Sequence, residues 1–362
     1  MCELTVDADR WLRYHLTKSR SPQNELSGAS VCSYETWQGS RCVSMELVAL
    51  ARNPVPSGAM VGAFEGYDGS PMRFARWDPT RGPVRGTVCV FTGRSEFIEK
   101  YFEVVADLRR RGFAVAIMDW RGQGGSYRPL ANPRKGWVRS FAEYDKDLGC
   151  FMEQVVLPNC PAPYYALAHS MGGHILLRAA SNPASPFERI AVAAPMSRFH
   201  DGKVGTSQHI ARVYAAIGTA CGLGRFYVRG ASDSSQDPVV FEGNPLTSDE
   251  ARFARNRALI DAAPHLLLGG PTIGWLNAAY RSMAMLNRPS YAERLKVPLL
   301  IGIAGQDVIV DPRATEMFAA RVKLCTTIML PLARHEILQE SDEIRSRFWA
   351  AFDAYLGVEP VA

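Results

Sequence analysis

Residues 164–180, "YYALAHSMGGHILLRAA", place a serine where the sequence pattern changes. An apolar run from Tyr164 to Ala168 breaks at His169-Ser170-Met171-Gly172-Gly173, and helix-like spacing resumes at Ile175, Leu176 and Ala179. A tight strand-to-helix turn forces such a serine into strained backbone geometry, so the residues two places to either side must be small. Ala168 and Gly172 meet that need. A helix beginning at the serine also favours negative charge developing beside it. The chemistry implied is nucleophilic attack on an acyl carbon.

A serine hydroxyl needs a base, and the base needs a group to fix its tautomer. His335, in "LARHEILQE", follows an apolar run at 325–331 and precedes the last helical pattern. His169 and His174 flank the serine but are badly placed to take its proton. His15, His200, His209 and His265 fall in the N-terminal stretch or in an interruption described below. Asp307, in "GIAGQDVIVDP", comes just after the apolar run 298–305. Asp311 competes with it, although Asp311-Pro312 has the form of an N-cap with proline at the first helical position. The expected set is therefore Ser170, Asp307 and His335. Oxyanion donors are expected at the N–H of Met171 and, in "FTGRSE", at Arg94, with Gly93 permitting close backbone approach.

These residues converge only if the elements before them share one sheet edge. "AMVGAFEGYDGSPMRFARWD" reads as a hairpin about Asp68-Gly69. Strands are expected at 86–93, 113–120, 164–168, 189–195, 297–305 and 325–331. Helices are expected at 96–111, 140–156, after Ser170, after Pro312 and at 341–356. Strands alternating with helices imply an α/β class, a mostly parallel doubly wound sheet with right-handed crossovers. The alternation stops over 196–296, where Thr247-x-x-Glu250 has the form of a capping box and Ile210, Val213, Tyr214 and Ile217 form a helical stripe. The domain reading is a core of 60–195 and 297–357, a helical cap insertion at 196–296, and a poorly ordered extension over 1–44. In "DWRGQGGS" (119–126) the glycines trail into a long loop, unlike a nucleotide fingerprint. That segment reads as a turn braced by pairing of Asp119 with Arg121.

The chain has 362 residues, 47% hydrophobic and 21% charged, with a formal net charge of +5. That is ordinary for a soluble globular protein. Basic residues are scattered, with one run at Arg109-Arg110-Arg111 that falls at a helix end, so nucleic acid is not an expected partner. The eight cysteines make no C-x-x-C pair and no zinc spacing. No run approaches the ~18 apolar residues of a membrane span. The expected location is the cytoplasm, with peripheral contact at the inner membrane face compatible with the mild positive charge.

"FTGRSEFIEKYFEVVADLRRRGFAVAIMDWRGQGGSYRPL", "LAHSMGGHILLR", "GQDVIV" and "ARHEILQE" together resemble the bacterial lysophospholipase and monoacylglycerol lipase branch of the α/β-hydrolases. The likeness continues through "GNPLTSDEARFARN" and "GGPTIGWL", covering roughly residues 60 to 355. It implies the α/β-hydrolase fold, with Ser170, Asp307 and His335 on the triad positions and Arg94 and Met171 on the oxyanion positions. It also places 196–296 on the cap that shapes an acyl pocket, where Trp275, on a helix opened by Thr272, is the expected lining residue. The implied substrate is the ester of a single-chain lipid, a lysophospholipid or monoacylglycerol, cleaved with no cofactor and no metal. Acyl transfer, hydrolysis of non-lipid esters on the same residues, or a non-catalytic binding role are the alternatives. Two positions depart from the family pattern: Thr92 stands where His is common, and Ala168 replaces a glycine.

Overall fold

The computed structural model of the protein describes residues 46–80, 82–204, 206–234 and 238–358. The expectation for residues 1–44 lies outside them. The chain enters through strands β1 (Met60–Glu65) and β2 (Pro71–Trp77), then β3 (Thr87–Phe91), helix α1 (Phe102–Arg110) and β4 (Ala114–Met118). Helix α2 (Ala142–Phe151), β5 (Tyr164–His169), α3 (Ser170–Ala179) and β6 (Phe187–Ala193) follow. Between β6 and β7 (Leu299–Ala304) lie α4 (Gln208–Ala220), α5 (Glu250–Ala262) and α6 (Ile273–Leu286). Helix α7 (Pro312–Ala319), β8 (Cys325–Leu330) and α8 (Asp342–Leu356) complete the order.

The eight strands form one sheet in the order β1-β2-β4-β3-β5-β6-β7-β8. The β1–β2 and β2–β4 pairings are antiparallel, and every other pairing is parallel. β4 (AVAIM) and β7 (LLIGIA) are unbroken apolar runs with every residue buried, as strands covered on both faces require. The strand order reverses between β3 and β5, where Phe91 pairs with Ala168. A crevice outside the carboxyl ends of the strands at such a reversal is where open α/β sheets bind ligands. The loop after β3 and the corner after β5 both open into it.

Two local expectations are corrected. Asp119 and Arg121 do not pair with each other. Asp119 accepts from Arg73 Nε at 2.7 Å and from the N–H groups of Ile98 and Gly125 at 3.0 and 2.8 Å. Arg121 instead grips Asp147 and Asp68, each at 2.8 Å. The cap of α5 is Asp249, which accepts from Arg252 N–H; Thr247 Oγ1 donates to the Gln339 carbonyl at 2.7 Å and accepts from Asp249 N–H at 3.0 Å. The stripe Ile210, Val213, Tyr214 and Ile217 lies on α4 but faces solvent, with Ile210 and Ile217 each 59% exposed. The buried face of α4 is Ala211, Ala215 and Gly218, and a Cβ on Gly218 would stand 2.9 Å from Ile273 Cγ2. Small residues there let α4 press closely on α6.

Candidate active site

Ser170 follows β5 directly and has φ of +49°, a left-handed conformation that an L-residue adopts only under constraint. Gly172 supplies the constraint. A Cβ there would lie 2.5 Å from the Phe91 carbonyl oxygen and 2.6 Å from that of Thr92. The helix can therefore start against the end of β3 only with glycine at this position. Ala168, the other small residue of the motif, is buried between Phe91 of β3 and Val192 of β6.

The three expected side chains meet in one chain of hydrogen bonds. His335 Nε2 lies 3.0 Å from Ser170 Oγ, and His335 Nδ1 lies 2.7 Å from Asp307 Oδ2. The other carboxylate oxygen of Asp307 accepts from the N–H groups of Ile309 and Val310 at 2.7 and 3.0 Å, which fixes its orientation. All three groups are buried, and they follow β5, β7 and β8 at one edge of the sheet. Asp311 is elsewhere: it caps α7, accepting from Arg313 and Ala314 N–H at 3.0 and 3.2 Å. The histidine loop is held from the segment between β6 and β7, through Glu336 N–H to the Leu246 carbonyl at 2.8 Å and Arg334 Nη1 to that of Thr247 at 2.8 Å.

The N–H of Gly93 is taken by Glu96 Oε2, and its carbonyl by Gln123 Nε2 at 2.7 Å. The Gly93 amide is thus engaged within its own loop, and the expected oxyanion positions are Arg94, next along that loop, and Met171 in the first turn of α3, where helix N–H groups lack intrahelical acceptors. The Arg94 guanidinium donates to the Gly269 carbonyl at 2.8 Å and lies over the Trp275 ring at 5.0 Å. Thr272 caps α6 through Trp275 N–H, and Trp275 is buried against Phe141 and Phe199. Thr92, at the position where the family has histidine, buries an Oγ1 with no hydrogen-bond partner among the described residues.

Two more histidines take part in the architecture. His174 joins the Met196 carbonyl and Ser282 Oγ of α6 at 2.8 and 2.7 Å, and burial beside Arg178 pushes it down to about 3, so it is neutral. His169 meets Glu96 Oε2 at 3.0 Å and the His335 carbonyl oxygen at 3.2 Å. Sequence reasoning missed Glu96 and its partners. A polar pair separated by 73 positions leaves no periodic trace, and only the placement of a glutamate three residues after Gly93 hinted at it.

A mostly parallel sheet with a left-handed serine at the strand-order reversal, hydrogen-bonded to a histidine that in turn bonds an aspartate, both just past later strands, defines an α/β-hydrolase. The chain belongs to the Hydrolase_4 family (serine aminopeptidase, S33), whose model matches residues 82–342. Within the α/β-hydrolases it falls in the lysophospholipase and monoacylglycerol lipase branch. It is 31% identical to lysophospholipase L2 of Escherichia coli strain K12 over 296 residues, 78% of this chain and 83% of that protein. It is 28% identical to the probable lysophospholipase L2 of Haemophilus influenzae over 285 residues, 76% of this chain and 85% of the other. A soluble variant of monoglyceride lipase from Saccharomyces cerevisiae, solved with a substrate analog, shares the fold at TM-score 0.65 and 20% identity, covering 83% of this chain and 97% of that one. No helix among the described residues is long and apolar enough to cross a membrane.

Proposed function

We propose that the protein is a serine hydrolase that cleaves the carboxylic ester of a single-chain lipid through an acyl-enzyme. The observation that carries this is the Ser170–His335–Asp307 relay at 3.0 and 2.7 Å. Ser170 Oγ attacks the ester carbonyl while His335 Nε2 takes its proton. The oxyanion is held by the N–H groups of Met171 and Arg94. As the tetrahedral species collapses, His335 returns the proton to the leaving alcohol and the acyl group stays on Oγ. Water then attacks that ester, giving one proton to His335, which passes it back to Ser170. Asp307 holds Nδ1–H so that Nε2 arrives with a free lone pair.

Residues 196–296 act as a cap, with Trp275 on the acyl wall. Relatives named lysophospholipase support the single-chain substrate. Each methylene buried contributes about 0.8 kcal/mol, at most roughly fourfold in kcat/KM. The test is a series of p-nitrophenyl esters beside lysophosphatidylethanolamine and monoacylglycerol. kcat/KM is expected to climb from acetyl to longer chains, and Trp275→Ala to flatten the climb while sparing the acetyl ester. Preference for acetyl in the parent enzyme would defeat the lipid reading.

The solvent-facing side of α4 supports peripheral contact with the anionic surface that holds such a substrate. Leu223 and Phe226, shortly after α4 in the chain, are exposed as well. The stretch 202–232 contains Lys203, Arg212, Arg225 and Arg229 and no acidic residue, the composition that anionic lipid attracts. Ile210→Glu with Ile217→Glu should abolish co-sedimentation with phosphatidylglycerol vesicles and leave hydrolysis of a soluble ester intact. Equal binding to phosphatidylcholine vesicles, unaffected by the pair, would refute it.

A further inference from the structure

The Glu96–His169 pair lies directly under the residues proposed to react. Glu96 Oε2 receives the N–H of Gly93, the hydroxyl of Tyr101 at 2.7 Å and His169 Nδ1 at 3.0 Å. Its other oxygen lies 3.0 Å from Lys100 Nζ, which also reaches Glu336 Oε1 at 2.6 Å. Surrounded by donors and an ammonium, this carboxylate is ionised and accepts only. The second ring nitrogen of His169 faces the main-chain carbonyl oxygen of His335 at 3.2 Å, another atom that only accepts. A neutral imidazole carries one N–H and would set its lone pair against one of these two oxygens. A doubly protonated ring satisfies both.

We infer that His169 is a buried imidazolium which, paired with Glu96, positions the oxyanion loop and the base histidine around Ser170, so that losing its proton gives the reaction an alkaline limit. This rests on the proposed roles of Ser170 and His335. The loop, the pair and the serine are in contact: a Cβ on Gly93 would meet Glu96 Oε2 at 2.7 Å, His169 Nδ1 at 3.0 Å and Ser170 Cβ at 3.2 Å. The His169 ring also packs on that of His335, with centroids 4.8 Å apart. The ionisable groups around it are Glu96, Lys100 and Tyr101 from the segment after β3, and Glu336 and His335 from the loop after β8. Burial opposes the imidazolium, but the Glu96 charge and hydrogen bond outweigh it and hold His169 above its ordinary pKa. Burial likewise opposes the carboxylate, and Lys100 with His169 holds Glu96 well below the usual range. A raised histidine keeps its stabilising proton below the unfolded value and loses it as pH rises through the folded one. Deprotonation then releases either the oxyanion loop or the His335 main chain. His169 touches no reacting atom, so it is a positioning residue.

The test compares kcat and KM of the full chain and His169→Gln on p-nitrophenyl butyrate, from about pH 6 to about pH 10, which brackets the ordinary imidazole titration. The parent is expected to give a bell-shaped kcat profile. In the variant the alkaline limb disappears, and kcat near neutrality falls on the order of 10- to 100-fold, the scale of a small misplacement, while KM stays nearly constant. An alkaline limb unchanged in the variant overturns the inference. Should the variant fail to fold, histidine-selective 15N spectra of the Ser170→Ala protein decide. Two protonated nitrogens on His169 at neutral pH sustain the imidazolium, and a ring with a single N–H overturns it. Full activity in Ser170→Ala would instead sink the underlying catalytic reading, a separate outcome.

Discussion

Replacing Asp307 by asparagine changes one atom, and the structure says what that atom does. The Asp307 oxygen that faces His335 Nδ1 at 2.7 Å must accept, and the other must accept from Ile309 and Val310 N–H at 2.7 and 3.0 Å. Asparagine has one acceptor for these two sides. With its carbonyl on the backbone amides, its NH2 faces Nδ1, and the histidine proton moves to Nε2. The ring then points an N–H at Ser170 Oγ and cannot take the serine proton. The flipped amide restores the productive tautomer but turns NH2 onto two buried N–H groups. Each buried donor left unsatisfied costs about 1–3 kcal/mol, so the productive form lies about 2–6 kcal/mol higher. At about 1.4 kcal/mol per tenfold, the centre of that range predicts a kcat loss of about 10³, rising toward 10⁴, the scale usual for a lost triad carboxylate. KM and the thermal midpoint should change little. The assay is steady-state hydrolysis of p-nitrophenyl butyrate, with Asp311→Asn as control. Asparagine caps helices about as well as aspartate, so the control should keep its activity. Loss in Asp311→Asn with activity retained in Asp307→Asn would refute the reasoning.

Gly172→Ala should lower kcat at least about 100-fold even in folded protein, because a Cβ at 2.5 Å from the Phe91 carbonyl must push the serine turn off the end of β3; near-parent activity would show that the corner can yield. Arg73 is fully buried between Glu99 and Asp119, at 2.8 and 2.6 Å, so Arg73→Met should cost about 3–5 kcal/mol by urea unfolding, and a cost below about 1 kcal/mol would mean the carboxylates find other partners. Burial works against Glu103, yet hydrogen bonds from Arg252 and Arg255 and the Arg345 charge bring it down to about 2 from 4.5. A depressed carboxyl stabilises above its unfolded pKa and stops doing so as pH falls through the folded one. The melting-point gap between parent and Glu103→Gln should therefore close as pH falls from 4.5 toward 2, and a gap independent of pH would contradict the assignment.

The sheet was legible because its strands are short apolar runs between helical patterns, and the relay because Ser170, Asp307 and His335 each stand just past such a run. Position relative to a strand end is a local property, so each residue could be placed without knowing the others. Charge pairing is not local. Asp119 and Arg121, two apart, looked like partners, but their partners Arg73, Asp68 and Asp147 come from distant segments. Glu96 and His169 escaped for the same reason. Periodicity located α4, but it reports only that an apolar stripe exists; Ala211, Ala215 and Gly218 turned out to be the face that packs. At α5 the motif Thr247-x-x-Glu250 lost to Asp249: Thr247 Oγ1 accepts from the N–H of Asp249, and Asp249 itself caps the helix by accepting from Arg252 N–H.

The central claim is that Ser170 is the nucleophile, activated by His335 at 3.0 Å. Treatment of the full-length protein with a fluorophosphonate, followed by digestion and peptide mass mapping, tests it directly. The account predicts one adduct per chain, on Ser170, slowed in His335→Ala and absent in Ser170→Ala. An adduct on another serine with Ser170 unmodified, or undiminished labelling of Ser170→Ala, would contradict it.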